Sequence, residues 1–292
     1  MERGAGVMMV TEDRHVVVAG VRIPRLMYGT AWKENDTARL VGLALQAGFR
    51  GIDTANQRRH YHEALVGQAL TDAFAQRLAV RDELFVQTKF TYVNGQDARL
   101  PYDPHAPLAA QVEQSFASSL DHLGLDRVDS YVLHGPSRRQ GLGADDHEVW
   151  AAMERLHAAG KARILGVSNV TPEQLQQLCE KATVKPAVVQ NRCYADRGWD
   201  LRVRRLCQQN GIVYQGFSVL AANPQVLHHR SVVELAAKFG KTPEQVIFRF
   251  ALEVGMVALA GTTSVQHVRD DLGVYDFELG AEAVEAIENL AA

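Results

Sequence analysis

The chain has 292 residues, is 47% hydrophobic and 22% charged, and carries a net charge of −3. That balance is ordinary for a soluble globular protein, excludes a sequence-independent electrostatic grip on nucleic acid, and leaves room for one large α/β barrel or two smaller domains. Its three cysteines, Cys179, Cys193 and Cys207, are too few and too scattered for a disulfide framework or a structural metal site.

In chain order, the N-terminal stretch Met1 to Arg14 lacks the apolar core of a signal peptide. No run approaches the ~20 apolar residues of a spanning helix. The expectation is a cytoplasmic protein with no membrane partner. His15 to Ile23 holds two short β-prone runs around Ala19-Gly20, the pattern of a hairpin. Apolar strand-like runs then recur at Leu26 to Gly29, Phe49 to Asp53, Leu84 to Lys89, Val128 to His134, Ala162 to Ser168, Ala187 to Gln190, Ile212 to Gln215 and Val257 to Ala260. Eight is the count of a closed barrel, and runs such as RILGVS and MVALAG lack polar alternation, as strands covered on both faces should.

Between them, apolar residues at three- and four-residue spacing predict helices over Thr37 to Ala47, Glu63 to Phe74, Ala109 to Leu123, Glu148 to Ala159, Thr171 to Lys181, Leu201 to Asn210 and Pro243 to Leu252, the second of them opening from about His60 with Tyr61 in its first turn. Thr171-Pro172 and Thr242-Pro243 place a capping residue before a first-turn proline. No linker stands out, so residues 1–292 read as one domain. Three long loops, Thr91 to Pro107, Gly135 to Asp146 and Gly216 to Arg230, leave the carboxyl ends of strands, the face on which barrels build active sites.

Four polar residues end or follow successive strands: Asp53, Tyr61, Lys89 and His134. In a barrel they converge at one mouth. An unperturbed phenol titrates near ~10, too high for efficient proton donation at neutral pH, and a nearby ammonium lowers it. The expectation is that Lys89, paired with Asp53, makes Tyr61 acidic, while His134 hydrogen-bonds a substrate carbonyl oxygen on which negative charge develops. A structural ion pair at Lys89, a structural histidine at position 134, and a Schiff-base role for Lys89 remain alternatives.

The pieces GTAWK at Gly29, GFRGIDTA at Gly48, HYHEALVG at His60, ELFVQTKF at Glu83, DSYVLHGP at Asp129, GVSNV at Gly166, PAVVQNRCY at Pro186 and GTTSVQHVRDDL at Gly261 together resemble the aldo-keto reductase superfamily. The resemblance covers nearly the whole chain. It implies a (β/α)8 TIM barrel whose base is closed by an N-terminal β-hairpin. It also implies a nicotinamide coenzyme held without a Rossmann fingerprint, and the chain indeed has no G-x-G-x-x-G after a strand. The implied activity is NAD(P)H-dependent reduction of a small-molecule aldehyde or ketone by a monomer. Its alternatives are a barrel that binds the coenzyme and signals its redox state without turnover, and a specialised non-redox enzyme.

Carried over, the resemblance makes Asp53, Tyr61, Lys89 and His134 the catalytic tetrad. Ser168, Asn169 and Gln190 would hold the nicotinamide amide, and Phe217 would stack on its ring. Thr30 would lie near the nicotinamide ribose, Ser218 and Leu220 near the diphosphate, and Thr262, Thr263, His267 and Asp271 around the adenosine. Trp32, Tyr92, Tyr194 and Trp199 are candidate substrate walls. Three departures stand out. NQRRH lengthens the usual loop between Asp53 and Tyr61, and makes His60 and His62 rival acids. The Lys and Arg that often grip a 2′-phosphate are replaced by Gly261 and His267, and Arg269 lies out of helical phase. NADP(H) is still favoured over NAD(H), on family habit. The sequence runs to Ala292 just past the last helix, so a more open substrate mouth is expected.

Overall fold

The computed structural model describes residues 14–290. The signal-free reading of residues 1–13 and the terminal Ala292 lie outside the described residues. A hairpin of β1 (His15–Val18) and β2 (Val21–Pro24) precedes eight parallel strands. These are β3 (Leu26–Gly29), β4 (Gly51–Asp53), β5 (Phe85–Phe90), β6 (Val128–Leu133), β7 (Ala162–Ser168), β8 (Val188–Arg192), β9 (Val213–Phe217) and β10 (Val257–Ala260). They pair in sequence order, and β10 returns to β3, closing a (β/α)8 barrel.

The helices are α1 (Thr37–Ala47), α2 (Glu63–Ala75), α3 (Leu108–Leu123), α4 (Ala144–Ala158), α5 (Pro172–Lys181) and α6 (Leu201–Asn210). After β9 come α7 (Pro224–Leu227), α8 (Arg230–Phe239) and α9 (Pro243–Glu253), and after β10 come α10 (Val265–Leu272) and α11 (Ala281–Glu288). The two Thr-Pro signals act as read: Thr171 Oγ1 and Thr242 Oγ1 accept from the amides of Gln174 and Gln245, whose side chains bond back to the cap amides. Helix α4 starts four residues before its expected first residue, inside the expected loop, and two further differences bear on the site. Helix α2 begins at Glu63 with His62 as its cap, so Tyr61 belongs to the loop. The segment after β9 is not one long loop, because α7 and the start of α8 fall inside it.

Two cores hold the barrel. The larger lies between strands and helices. The smaller fills the barrel's lower interior, where Val21 and Ile23 of the hairpin meet Met27, Phe85, Ile164, Val188, Val213 and Val257. The hairpin therefore plugs one end, and the chemistry is left to the other. Among the described residues no helix is long and apolar enough to cross a membrane.

Gly67 marks the closest helix crossing. A Cβ there would stand 1.9 Å from the His122 carbonyl oxygen, on the backbone of α3. Backbone cannot yield as a side-chain tip can, so Gly67→Ala falls at the severe end of overpacking, about 3 kcal/mol. The expected readout is a lower urea midpoint of unfolding. An unchanged midpoint would mean the helices separate freely.

Candidate active site

Strand alternation decides which side chains meet inside the barrel. On β5 the inward series is Phe85, Gln87, Lys89. On β8 it is Val188, Gln190, Arg192, and on β9 it is Val213, Gln215, Phe217. Each series starts apolar at the hairpin end and carries a glutamine in its middle layer; it ends on Lys89, Arg192 or Phe217 at the strand's carboxyl end. Asp53 ends β4 in register with Gln87. The result is a buried polar layer. Lys89 Nζ donates to Asp53 Oδ1 at 2.7 Å, to Asp53 Oδ2 at 2.8 Å and to the Thr54 carbonyl at 2.8 Å. Asp53 Oδ1 also accepts from Gln87 Nε2 at 2.7 Å and Gln190 Nε2 at 2.9 Å. Gln215 Oε1 accepts from the same two amides. Lys89 is fully buried. Burial pulls its ammonium below the usual lysine range, and Asp53 pushes back.

The lengthened loop returns Tyr61 to this layer. Gln57 anchors it, with Nε2 on the Gly95 carbonyl at 2.7 Å. The Gln57 carbonyl accepts from the amides of His60 and Tyr61, and the His60 carbonyl accepts from Trp32 N. The chain thus doubles back, and the Tyr61 ring lies 5.2 Å from Lys89 Nζ and 5.9 Å from the His134 ring, centre to centre. The expected acidification of Tyr61 by Lys89 is overturned. All three ammonium donors are engaged by Asp53 and Thr54, and the charge is paired. Burial first, and the Asp53 carboxylate second, hold the phenol well above its usual range; Arg192 alone pulls it down. Tyr61 is a firmly protonated phenol.

His134 Nδ1 sits 2.6 Å from Thr91 Oγ1. Burial, then Lys89 and His60, hold the imidazole down to about 3, so it is neutral at physiological pH. His60 stacks on Trp32, rings 4.1 Å apart, and lines the same cavity. His62, the helix cap, does not.

The cavity over this layer is about 940 Å³, at the upper end for small-molecule sites. Asp53, Tyr61, His134, Ser168, Asn169 and Gln190 border it, as do Trp32, Tyr92, Phe217, Ser218, Leu220, Thr262, His267 and Asp271. Tyr92 keeps its ring on the wall while its hydroxyl donates to Asp146 Oδ1 at 2.9 Å. Ser168 Oγ donates to the Gln190 carbonyl, and Asn169 Nδ2 to the His134 carbonyl and Ser168 Oγ. Gln190 Oε1 and Asn169 Oδ1 accept no hydrogen bond from another described residue, so acceptors remain for a carboxamide NH2. The residues present therefore fit a nicotinamide amide beside the Phe217 ring.

Five expected site residues do not line the cavity, Lys89 among them: it lies fully buried beneath the floor, paired with Asp53. Thr30 is fully buried, and its hydroxyl donates to the Asp53 carbonyl at 2.9 Å; Gly29 and Ala31 border the space instead. Thr263 is exposed outside it. Trp199 is core: its ring packs 4.9 Å from that of Phe250, and its indole N–H donates to the Ile287 carbonyl at 3.2 Å. Tyr194 faces the guanidinium groups of Arg197 and Arg192, at 4.7 and 6.0 Å. An aromatic near a strand end is no guide to which way its ring turns. Conversely, Gln57, Gln87, Gln215 and Arg192 were not foreseen. Strand parity points to three of them, since Gln87 shares it with Lys89, Gln215 with Phe217 and Arg192 with Gln190.

The far end of the cavity is acidic, lined by Glu244, Asp270 and Asp271, while Arg269 is exposed off the wall as its phase implied. Burial, then Asp270 and Glu244, push the Asp271 carboxyl up to about 7. Among the described residues no three His, Cys, Asp or Glu side chains gather as a metal cage.

Comparison with known proteins gives a consistent result. A model of the aldo/keto reductase family matches residues 25–292. An aldo-keto reductase of Mycobacterium marinum is 32% identical over 269 residues, covering 92% of this chain and 88% of its own. The 9,11-endoperoxide prostaglandin H2 reductase of Trypanosoma cruzi is 29% identical over 279 residues, covering 92% and 88%. The crystal structure of an aldo/keto reductase from Brucella melitensis superposes with a TM-score of 0.81 at 26% identity, over 94% of this chain and 98% of that one. An aldo-keto reductase complexed with NADPH gives 0.79 at 26% identity, over 94% and 86%.

Proposed function

This chain belongs to the aldo/keto reductase family, an NAD(P)H-dependent oxidoreductase, and from that premise we propose that it reduces an aldehyde or ketone to an alcohol with Tyr61 as proton donor. The observation that carries the reading is the position of the Tyr61 ring, against both the Lys89–Asp53 pair and His134 at the floor of one cavity. The bound coenzyme supplies hydride to the carbonyl carbon. Everything else falls to the chain. Ser168, Asn169 and Gln190 hold the carboxamide, and Phe217 supports the ring. Ser218, Leu220, Thr262, His267 and Asp271 follow the rest of the dinucleotide.

Tyr61 gives its proton from Oη to the substrate oxygen. A phenol held high in pKa stays protonated until an oxyanion forms, and then loses its proton to that stronger base. The neutral His134 orients the oxygen from Nε2, which requires the Thr91 hydroxyl to donate to Nδ1. The Asp53–Lys89 pair fixes the floor against which the ring rests. Trp32 and Tyr92 form substrate walls. One barrel domain over residues 1–292, acting as a cytoplasmic monomer on small molecules without nucleic acid, completes the reading.

The test is consumption of reduced coenzyme by a panel of aldehydes and ketones, followed by loss of the reduced-nicotinamide absorbance. Turnover supports the reading. Tight coenzyme binding with no oxidation by any carbonyl would make the protein a redox-sensing barrel instead.

NADP(H) is the proposed coenzyme, supported by the NADPH-bound neighbour. The acidic adenosine end gives that preference a pH signature. Asp271 is protonated below about 7 and ionises above it. As pH rises through that value, negative charge builds beside the proposed 2′-phosphate site, so NADPH affinity falls and NADH affinity falls less. The 2′-phosphate titrates as well, so the control is Asp271→Asn, which should flatten the difference. Fluorescence titrations of both coenzymes across that pH range check it. Parallel curves in the native protein would place Asp271 away from the phosphate.

A further inference from the structure

The arginine on the catalytic wall has no role in the chemistry above. Arg192 follows Gln190 on the inward face of β8, one layer nearer the mouth, and pairs in register with Phe217. Its guanidinium carbon stands 5.3 Å from the centre of the Phe217 ring and 6.0 Å from that of Tyr194. Two aromatic rings position the group but give it no counter-charge. Among the described residues Arg192 forms no ion pair and no hydrogen bond. Several other arginines are paired, as Arg163 with Asp129, Arg202 with Glu173 and Arg204 with Glu288, and others are not; what sets Arg192 apart is that it is the arginine on the cavity wall.

The other charges on the cavity wall sharpen the contrast. Lys33 donates to the Gly261 carbonyl. Asp53 is neutralised by Lys89. Glu244, Asp270 and Asp271 lie at the opposite, adenosine-facing end. Two cations on the wall thus lack a carboxylate partner: Lys33, tied to the Gly261 carbonyl in the adenosine-facing segment, and Arg192, which stands on the catalytic side among the aromatic rings. Arg192 is close enough to the reacting group to be the one charge that draws the Tyr61 phenol downward. A guanidinium offers a planar fork of donors, which a carboxylate meets with two parallel hydrogen bonds.

We propose that Arg192 receives a carboxylate of the substrate, so that the preferred substrates are carbonyl compounds that also carry an acid group. This deepens the reductase reading and rests on it. The acid anchors at the rim of β8, and the carbonyl is left free to reach Tyr61 and His134. The competing anion is the coenzyme's own diphosphate, and the experiment has to separate the two.

The probes are 3- and 4-carboxybenzaldehyde and their methyl esters, which keep a similar shape but differ in charge; the ester is the more electron-withdrawing group, so intrinsic reactivity favours the ester and a preference for the acid has to come from binding. The readout is the acid-to-ester ratio of kcat/KM, with coenzyme affinity measured in parallel by fluorescence titration. In the native protein at least one acid should exceed its ester by about tenfold or more, the scale of a charge-assisted pair. Arg192→Leu should bring that ratio to about one or below. Arg192→Lys should keep part of it, because a point charge remains without the fork. Added salt should lower the ratio in the native protein and leave it unmoved in Arg192→Leu. A native ratio near one, or a ratio that survives in Arg192→Leu, overturns the proposal. So does a leucine variant in which acid and ester fall together while coenzyme binding weakens, since the arginine then serves the coenzyme. If the ester is reduced without preference for the acid, or if neither probe is reduced while other carbonyls of the panel are, only this inference fails; if no carbonyl at all is reduced, the reductase reading fails with it.

Discussion

Replacing Tyr61 with phenylalanine should lower kcat/KM for carbonyl reduction by on the order of 10³-fold, within the range for removal of a general acid. Coenzyme affinity should change by no more than about twofold, because coenzyme contacts in the proposed site come from other strands. The change is conservative by geometry. The ring still rests against Lys89 and stands edge-on to His134, so only the hydroxyl is lost. Matched changes at the rivals give the control. His60→Gln should cost less than about tenfold, since His60 is occupied in stacking on Trp32 and its burial, with Arg59, disfavours the protonated form a donor would need. His62→Gln should cost less still, since His62 does not line the cavity. Steady-state kinetics with one good aldehyde decides the matter. If the phenylalanine variant keeps its turnover and His60→Gln loses it, the proton comes from the histidine and the role of Tyr61 is packing.

The fold was legible in the sequence because a parallel barrel writes itself plainly. Strands such as RILGVS are apolar throughout, since both faces are covered, and Thr-Pro pairs announce helix starts with little ambiguity. Helix α8 is less legible: RSVVELAAKF carries a helical spacing, but the Pro, Asn and His residues before it look like a loop that continues into it. The candidate site divides along similar lines. Residues fixed by strand parity, such as Asp53, Lys89 and Gln190, fell where expected. Residues placed by loops did not all do so. Trp199 lies in a kinked stretch with a left-handed backbone (φ 55°), which sends its ring into the core rather than toward substrate. No spacing rule foretells that. The electrostatic expectation failed for a different reason. The Lys89–Asp53 pair is there as expected, but Asp53 and Thr54 take all three lysine donors, and burial with the Asp53 carboxylate outweighs what a paired ammonium can do to acidify a neighbour.

That pairing gives the second large effect. Lys89→Met should destabilise the fold by roughly 3–5 kcal/mol, the range for leaving one member of a buried ion pair uncompensated. Asp53 would keep the amides of Gln87 and Gln190 but face no positive charge. Asp53→Asn should cost less. Burial already favours the neutral amine at Lys89, so the lysine can shed its proton once the carboxylate is gone. The sign of the pH dependence follows. With its native-state pKa depressed further below the unfolded value, the lysine binds more protons unfolded than folded, so the stability of Asp53→Asn should rise with pH relative to the native protein and fall as pH drops. Combining the two changes removes both charges while the new carboxamide oxygen at position 53 still accepts from the glutamine amides, so the double variant should regain most of the stability lost in Lys89→Met. It should not regain turnover, because the floor beneath the Tyr61 ring no longer has the shape or charge of the pair. Urea unfolding and kinetics on all three variants test this together. A Lys89→Met protein as stable as the native one would mean that the carboxylate is answered by something other than the ammonium. A double variant that recovered activity along with stability would reduce the pair to a packing element and remove it from the catalytic reading.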